Sequence, residues 1–387
     1  MELSAKNLSR RRFTQLLGLG VAATATTALR PSLALAKPAG PVAGKVAGAA
    51  SHTAHASDIV RLSSNENPYG PSPAAFAAMR DAFSVAWRYP DEAVDALAAD
   101  IAAHHQIGAD HVVLGDGSTE ILQLCAAAFT GPGKPIVVAE PTFEAIARFS
   151  HVRGAEIQSL PLTTAYGHDL PKMLAAAGGS GLLYICNPNN PTGTITPKDA
   201  LRSFLTSLPD GVTALVDEAY FHYADDSAYE TVIPLTLEHK NVLVARTFSK
   251  VYGMAGLRCG YAVAHPETLA LLRTHQAWDT VNAMAVAAAR AGLADQPHIA
   301  KSRQLNAETR THVTAELSRM GYQLLPSATN FLMADLHRPV GPVIEALKQR
   351  KVEVGRVFPA LPTHLRVTIG TQPQMQAFLD AFRQVMA

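Results

Sequence analysis

Cysteine is the first thing this chain has little of. Cys125, Cys186 and Cys259 are its only cysteines in 387 residues. Each lies in an apolar strand-like or helix-like context, which suits a buried thiol better than a disulfide framework or a metal site. An excess of charge is missing too. Lys and Arg number 33 against 32 Asp and Glu, a net charge of +1. That balance gives nucleic acid or an anionic membrane nothing to recognise. The 15 histidines are scattered without metal-ligand spacing, so no metal is expected. Internal repeats are absent. What the chain does have is apolar material, 48% of its residues, enough for a large core. Its length suits two to three domains, or one large α/β unit carrying a smaller one.

Arg10-Arg11-Arg12-Phe13 precedes an uncharged run from Leu16 to Leu29, and Ala34-Leu35-Ala36 offers a small-residue cleavage site. A charged start, a short apolar run and an A-x-A end are the three parts of an export signal. Gly18 and Gly20 argue against an ordinary amphipathic helix. The run is also poor in Leu and Ile for a permanent anchor. The adjacent arginines resemble the twin-arginine (Tat) type. That resemblance implies a signal over residues 1–36, contact with the Tat machinery, and a periplasmic or exported protein carried across already folded. Residues 37–57, rich in Ala, Gly and Pro, read as a flexible linker.

From residue 92 to about 265 short apolar runs alternate with helical patterns. The runs are residues 111–114, 135–139, 156–160, 182–186, 214–216, 242–245 and 259–264, with helices clearest at 120–129 and 197–208. This alternation predicts an α/β fold whose seven-stranded, mainly parallel sheet is covered on both faces. Ligands of such sheets bind beyond the carboxyl ends of the strands. After residue 266 one long helical stretch is expected to about residue 320. Strands at 322–325, 330–334, 351–357 and 364–369, with helices at 340–349 and 375–385, then make a smaller α+β unit. We divide the folded part into an N-terminal arm (58–91, belonging to the small domain), a large domain (92–280) and a small C-terminal domain (281–387).

The candidate chemical residues fall at the strand ends. Thr247 and Ser249 lead up to Lys250 in Arg246-Thr-Phe-Ser-Lys250, with Arg258 shortly after. A lysine amine can condense with an aldehyde, and hydroxyls beside an arginine can hold a phosphate. Gly117-Ser118-Thr119 runs from a strand into a helix, where backbone N–H groups favour an anion. Phe143 follows another strand. Cys186-Asn-Pro-Asn-Asn190-Pro-Thr-Gly193 forces a particular turn. Val216-Asp217-Glu218-Ala219-Tyr220 ends a further strand. Arg356 and Arg366 lie near the C-terminus. A buried guanidinium without a partner is costly, so this pair is expected to await an anion. Near the start, Asn65-Glu66-Asn67-Pro68-Tyr69-Gly70-Pro71 is turn-rich, and Arg88-Tyr89-Pro90-Asp91 follows.

Taken in order from residue 62 to 370, these segments resemble the fold-type I pyridoxal-phosphate (PLP) enzymes of the aminotransferase class I/II superfamily, and within it the histidinol-phosphate aminotransferases. The resemblance implies that Lys250 carries PLP and moves the substrate α-proton. It implies that Asp217 keeps the pyridine nitrogen protonated. Asn190 and Tyr220 would donate to the phenolic oxygen, and Phe143 would stack on the ring. Gly117, Ser118, Thr119, Thr247, Ser249 and Arg258 would hold the phosphate. Arg356 and Arg366 would bind substrate anions, and Tyr69 would reach into the partner subunit's site of a homodimer. Glu218 is expected to be structural. The implied reaction moves an amino group from a histidinol-phosphate-like donor to a 2-oxo acid such as 2-oxoglutarate. Phe221-His222-Tyr223 departs from the family pattern and leaves the donor open. A decarboxylase or C–S lyase on the same scaffold, or a non-catalytic PLP-binding protein, would keep the same cofactor residues.

Overall fold

The structure, a computed structural model, describes residues 59–387. The expected export signal (1–36) and linker (37–57) lie outside the described residues.

Twelve strands follow one another among them. In chain order they are β1 (Val60–Leu62), β2 (Val112–Gly115), β3 (Ile136–Glu140), β4 (Ile157–Pro161), β5 (Leu182–Cys186) and β6 (Thr213–Asp217). Then come β7 (Val242–Thr247), β8 (Gly260–Ala264), β9 (Gln323–Leu324), β10 (Phe331–Asp335), β11 (Val352–Val354) and β12 (His364–Thr368). Seven of them form one sheet in the order β2-β8-β7-β6-β5-β3-β4. Only β8 runs antiparallel to its neighbours. The other pairs are parallel.

The continuous apolar runs have a simple cause. Successive side chains of a strand point to opposite faces, and here both faces are covered by helices. Leu183 and Ile185 of β5 join one core cluster, whereas Leu182, Tyr184 and Cys186 join the other. Val242 and Val244 of β7 divide from Leu243 and Ala245 in the same way. A strand buried on both sides has no polar alternation to show.

A separate core gathers Leu62, Leu332, Val352, Val367, Phe378 and Phe382. Around it lie the antiparallel sheet β12-β10-β9 and the parallel pair β1-β11. Residues 60–62 thus pair with residues 352–354.

The single helical stretch expected over 266–320 is three helices: Pro266–Arg273, Ala283–Ala294 and Gln296–Arg319. Polar caps divide it. Asn282 accepts from Ala285 N–H, and Asp295 accepts from His298 N–H. Pro297 in the first turn of the last helix fixes its start. The strand expected over 351–357 is shorter as well, because Gly355 N–H leaves the β1 pairing to bond Arg366 O at 2.8 Å.

Candidate active site

Asp217 ends β6, Thr247 ends β7 and Cys186 ends β5, so the parallel strands deliver their last residues to one edge of the sheet. A cavity of about 290 Å³ opens there. Every residue the motifs singled out lines it except Gly117 and Tyr69.

At one end Arg258 gathers hydroxyls. Its Nη1 donates to Ser249 Oγ (3.4 Å) and Ala255 O (2.9 Å), and its Nη2 donates to Thr119 Oγ1 (3.4 Å). Thr247 Oγ1 donates to Ser249 Oγ at 2.9 Å. Helix Gly117–Phe129 points its N-terminus here, with Ser118 and Thr119 in its first turn. Gly117 has φ +73°, and a Cβ there would lie 2.2 Å from Arg258 Nη2. Glycine is therefore required both by the backbone conformation and by the guanidinium's approach. Cation, hydroxyls and helix N-terminus together are the donor set of a phosphate site.

The middle of the cavity holds Lys250, with Nζ 5.5 Å from the Tyr220 ring centroid. Burial, then the charge of Arg366, lowers the amine from its usual value to about 8. Asp217 lies buried beneath. Tyr184 Oη donates to its Oδ2 (2.9 Å) and Ala219 N–H to its Oδ1 (3.1 Å). Burial raises this carboxyl to about 6, and the Tyr184 hydroxyl is the strongest influence opposing that rise. A buried carboxylate lining this cavity suits a protonated ring nitrogen as its partner. The residues present therefore fit PLP: a phosphate cradle, an amine for the aldehyde and a carboxylate for the pyridine.

Tyr220 is buried, and its hydroxyl accepts from Asn65 Nδ2 at 2.9 Å. Asn190 Oδ1 accepts from Arg366 Nη1 at 2.9 Å, while Arg366 Nη2 donates to Ser63 O at 2.7 Å. Arg366 Nε is buried without a hydrogen-bond partner. The two arginines were expected to stand unpaired alike, and this holds only for that one nitrogen. Arg356 is half-exposed and paired with Glu144, because its loop leaves β11 toward the mouth of the cavity. Tyr69 is partly buried away from the lining.

Sequence reasoning missed Tyr184, Asn65 and Glu144 as members of the site. The signal for Tyr184 was present: one hydroxyl in an otherwise aliphatic buried strand must find a partner. Glu218, expected to be structural, makes no lining contact. It accepts from Arg246 Nε (3.0 Å) and Nη2 (2.7 Å), from Thr231 Oγ1 (2.8 Å) and from Val232 N–H (2.8 Å).

Comparison with known proteins agrees with this geometry. The family model described as aminotransferase class I and II matches residues 57–382. The histidinol-phosphate aminotransferase of Symbiobacterium thermophilum is 40% identical over 331 residues, covering 85% of this chain and 91% of that protein. A crystal structure from Erwinia carotovora atroseptica aligns with a TM-score of 0.82 at 33% identity, covering 84% of this chain and 95% of that one. The histidinol-phosphate aminotransferase of Sinorhizobium meliloti, solved in complex with pyridoxal-5'-phosphate, aligns with a TM-score of 0.80 at 28% identity, covering 85% and 91%. With a PLP-shaped donor set at the strand ends and these relatives along most of its length, the chain belongs to the aminotransferase class I and II family and is a PLP-dependent transaminase of fold type I.

Proposed function

We propose that this transaminase takes its amino group from a donor bearing a second, anionic group, as histidinol phosphate does, and passes it to a 2-oxo acid, 2-oxoglutarate. The observation that carries the reading is Arg366. Its guanidinium lies buried in the cavity among neutral acceptors, with Nε unpartnered, and no carboxylate among the described residues forms an ion pair with it. An anion arriving with the substrate would do so. The names of the relatives support the donor class.

Bound at the cradle, PLP supplies an aldehyde that exchanges amines and a ring that draws electrons from the substrate carbon. Ser118, Thr119, Thr247, Ser249 and Arg258 would hold its phosphate, with Gly117 leaving room for the arginine. Phe143, Asn190 and Tyr220 line the same cavity, where Phe143 would cover the ring and Asn190 and Tyr220 would serve its phenolic oxygen. Asp217, with its carboxyl raised to about 6, is mostly ionised at neutral pH and would hold a proton on the ring nitrogen. Lys250 Nζ is the amine that would hold the aldehyde, and the same nitrogen would serve as the base for the α-proton of the substrate. Its lowered basicity keeps part of the amine neutral near pH 8, as a base requires. The decisive experiment is a donor and acceptor screen with wild type and Arg366→Gln. KM for acidic substrates should rise at least tenfold in the variant while PLP stays bound. Loss of PLP with unchanged acceptor kinetics would reject the assignment.

The site is completed by a second copy of the chain in a homodimer. Tyr69 does not line its own cavity, and Phe83, Trp87, Tyr89 and Trp278 expose large rings of the kind that interfaces cover. Mixing inactive Tyr69→Ala and Lys250→Ala proteins should restore activity, since hybrid dimers regain one intact site. No recovery in exchanged dimers would argue that each chain is self-sufficient. The protein reaches the periplasm by the Tat route, on the strength of Arg10, Arg11 and Ala34-Leu35-Ala36. Replacing both arginines with lysine should retain it in the cytoplasm, and unchanged export would defeat that reading.

A further inference from the structure

Glu144 follows Phe143 at the mouth of the cavity and immediately precedes helix Ala145–Val152. A carboxylate in that place is well placed to take the first N–H groups of the helix. This one makes no capping bond. It extends to Arg356 instead, and Arg356 Nη2 contacts both carboxylate oxygens. The two residues are 212 positions apart in sequence. Their side chains are 64% and 51% exposed, Glu144 and Arg356 respectively. The Phe358 ring receives both arginines, with Arg356 Cζ 4.5 Å and Arg366 Cζ 5.1 Å from its centroid.

The two guanidiniums therefore differ in kind. Arg366 is buried and bonded to neutral acceptors. Arg356 stands at the rim with a counter-ion supplied by the chain. An exposed ion pair is worth only about 0–1 kcal/mol, so it opens at little cost. An incoming anion can take the place of Glu144 and leave Arg356 still paired, while the released carboxylate turns to water. An uncharged side chain cannot make that exchange, and meets a wall whose charges already cancel.

Resting on the assignment of Arg356 to substrate anions, we propose that Glu144 determines specificity as a resident counter-ion. It keeps Arg356 when the tail of the substrate is uncharged, and yields it to a substrate whose tail ends in a carboxylate or phosphate. One pocket then accepts both classes, with a first anion on Arg366 and a distal one, when present, on Arg356.

Equilibrium binding to the PLP-loaded enzyme tests this directly. Succinate and 3-phosphonopropionate carry a distal anion, and butyrate carries none. Removing the competitor in Glu144→Gln should lower Kd for the first two by about two- to fivefold, the range an exposed pair allows. Butyrate should bind as before. Glu144→Ala should repeat the result if lost charge is the cause. Tightening of only one dianion still supports the competition and identifies the distal group as carboxylate or phosphate. Equal tightening of butyrate, or no change for either dianion, overturns the proposal. Arg356→Gln separates the two ideas. If it leaves dianion binding intact, the assignment of Arg356 itself falls. If it weakens dianions while Glu144→Gln does nothing, the assignment stands and the counter-ion role is wrong.

Discussion

The Tyr184 hydroxyl, on β5, donates to Asp217 Oδ2 on the neighbouring β6. A hydrogen bond to a carboxylate favours the charged form, so this contact opposes the upward push of burial. Removing it in Tyr184→Phe should let Asp217 take up a proton at higher pH. The acid limb of the kcat profile should then move toward neutrality, and PLP absorbance should change with the same midpoint. An unmoved acid limb would mean that the hydroxyl only fills space. Lys250, Asp217, Asn190 and Arg258 were legible in the sequence because each sits inside a short motif whose neighbours identify it. Tyr184, Asn65 and Glu144 were not, because their partners lie on other strands or loops. Glu144 reads as an ordinary carboxylate near a helix start until Arg356 arrives from the far end of the chain.

At the scale of elements, the junction of β6 and β7 holds a buried ion pair. Arg246, at 3% side-chain exposure, meets Glu218, at 1%, and the Arg246 guanidinium carbon lies 3.7 Å from the Phe221 ring centroid. Four hydrogen bonds from its neighbours satisfy Glu218. Arg246→Met would strand that carboxylate, and should cost about 3–5 kcal/mol in stability. Denaturant unfolding of the apoprotein would read this as a lower midpoint. Adding Glu218→Gln should recover part of the loss, and a double variant no better than the single would put the cost in packing. Phe221-His222-Tyr223 lies outside the cavity lining, with Phe221 packed on Arg246 and His222 on Tyr252. The strands of the large sheet were legible as apolar runs of the right length. The helices after residue 266 were not separable by periodicity alone, since a capping side chain such as Asn282 or Asp295 differs little from an exposed helical one.

At the scale of the whole molecule, stability should weaken in acid. Burial pushes His168 down to about 4, and its Nδ1 shares a 2.7 Å hydrogen bond with Thr196 Oγ1. An unfolded histidine titrates near ~6.5. The unfolded chain therefore gains a proton that the folded one refuses. Its contribution is complete above about pH 6.5 and is lost as pH falls toward 4, at about 1.4 kcal/mol per pH unit. Thermal unfolding at pH 7, 6 and 5 should show a falling Tm, with a shallower fall in His168→Gln. Parallel curves would place the sensitivity elsewhere. Cys125, Cys186 and Cys259 are all free and buried, so thiol reagents should label the chain only as it unfolds. Labelling of the native protein at the rate of the unfolded chain would contradict this burial. The pairing of β1 with β11 has a consequence for timing. Residues 60–62 are made long before their strand partner, residues 352–354. Until then Leu62 lacks Val352, Val354, Val367, Phe378 and Phe382 of the core it joins. Residues 60–62 thus form a latch that cannot close until residues 352–354 have been made, so the closed latch is a local mark that two distant stretches of the chain have met.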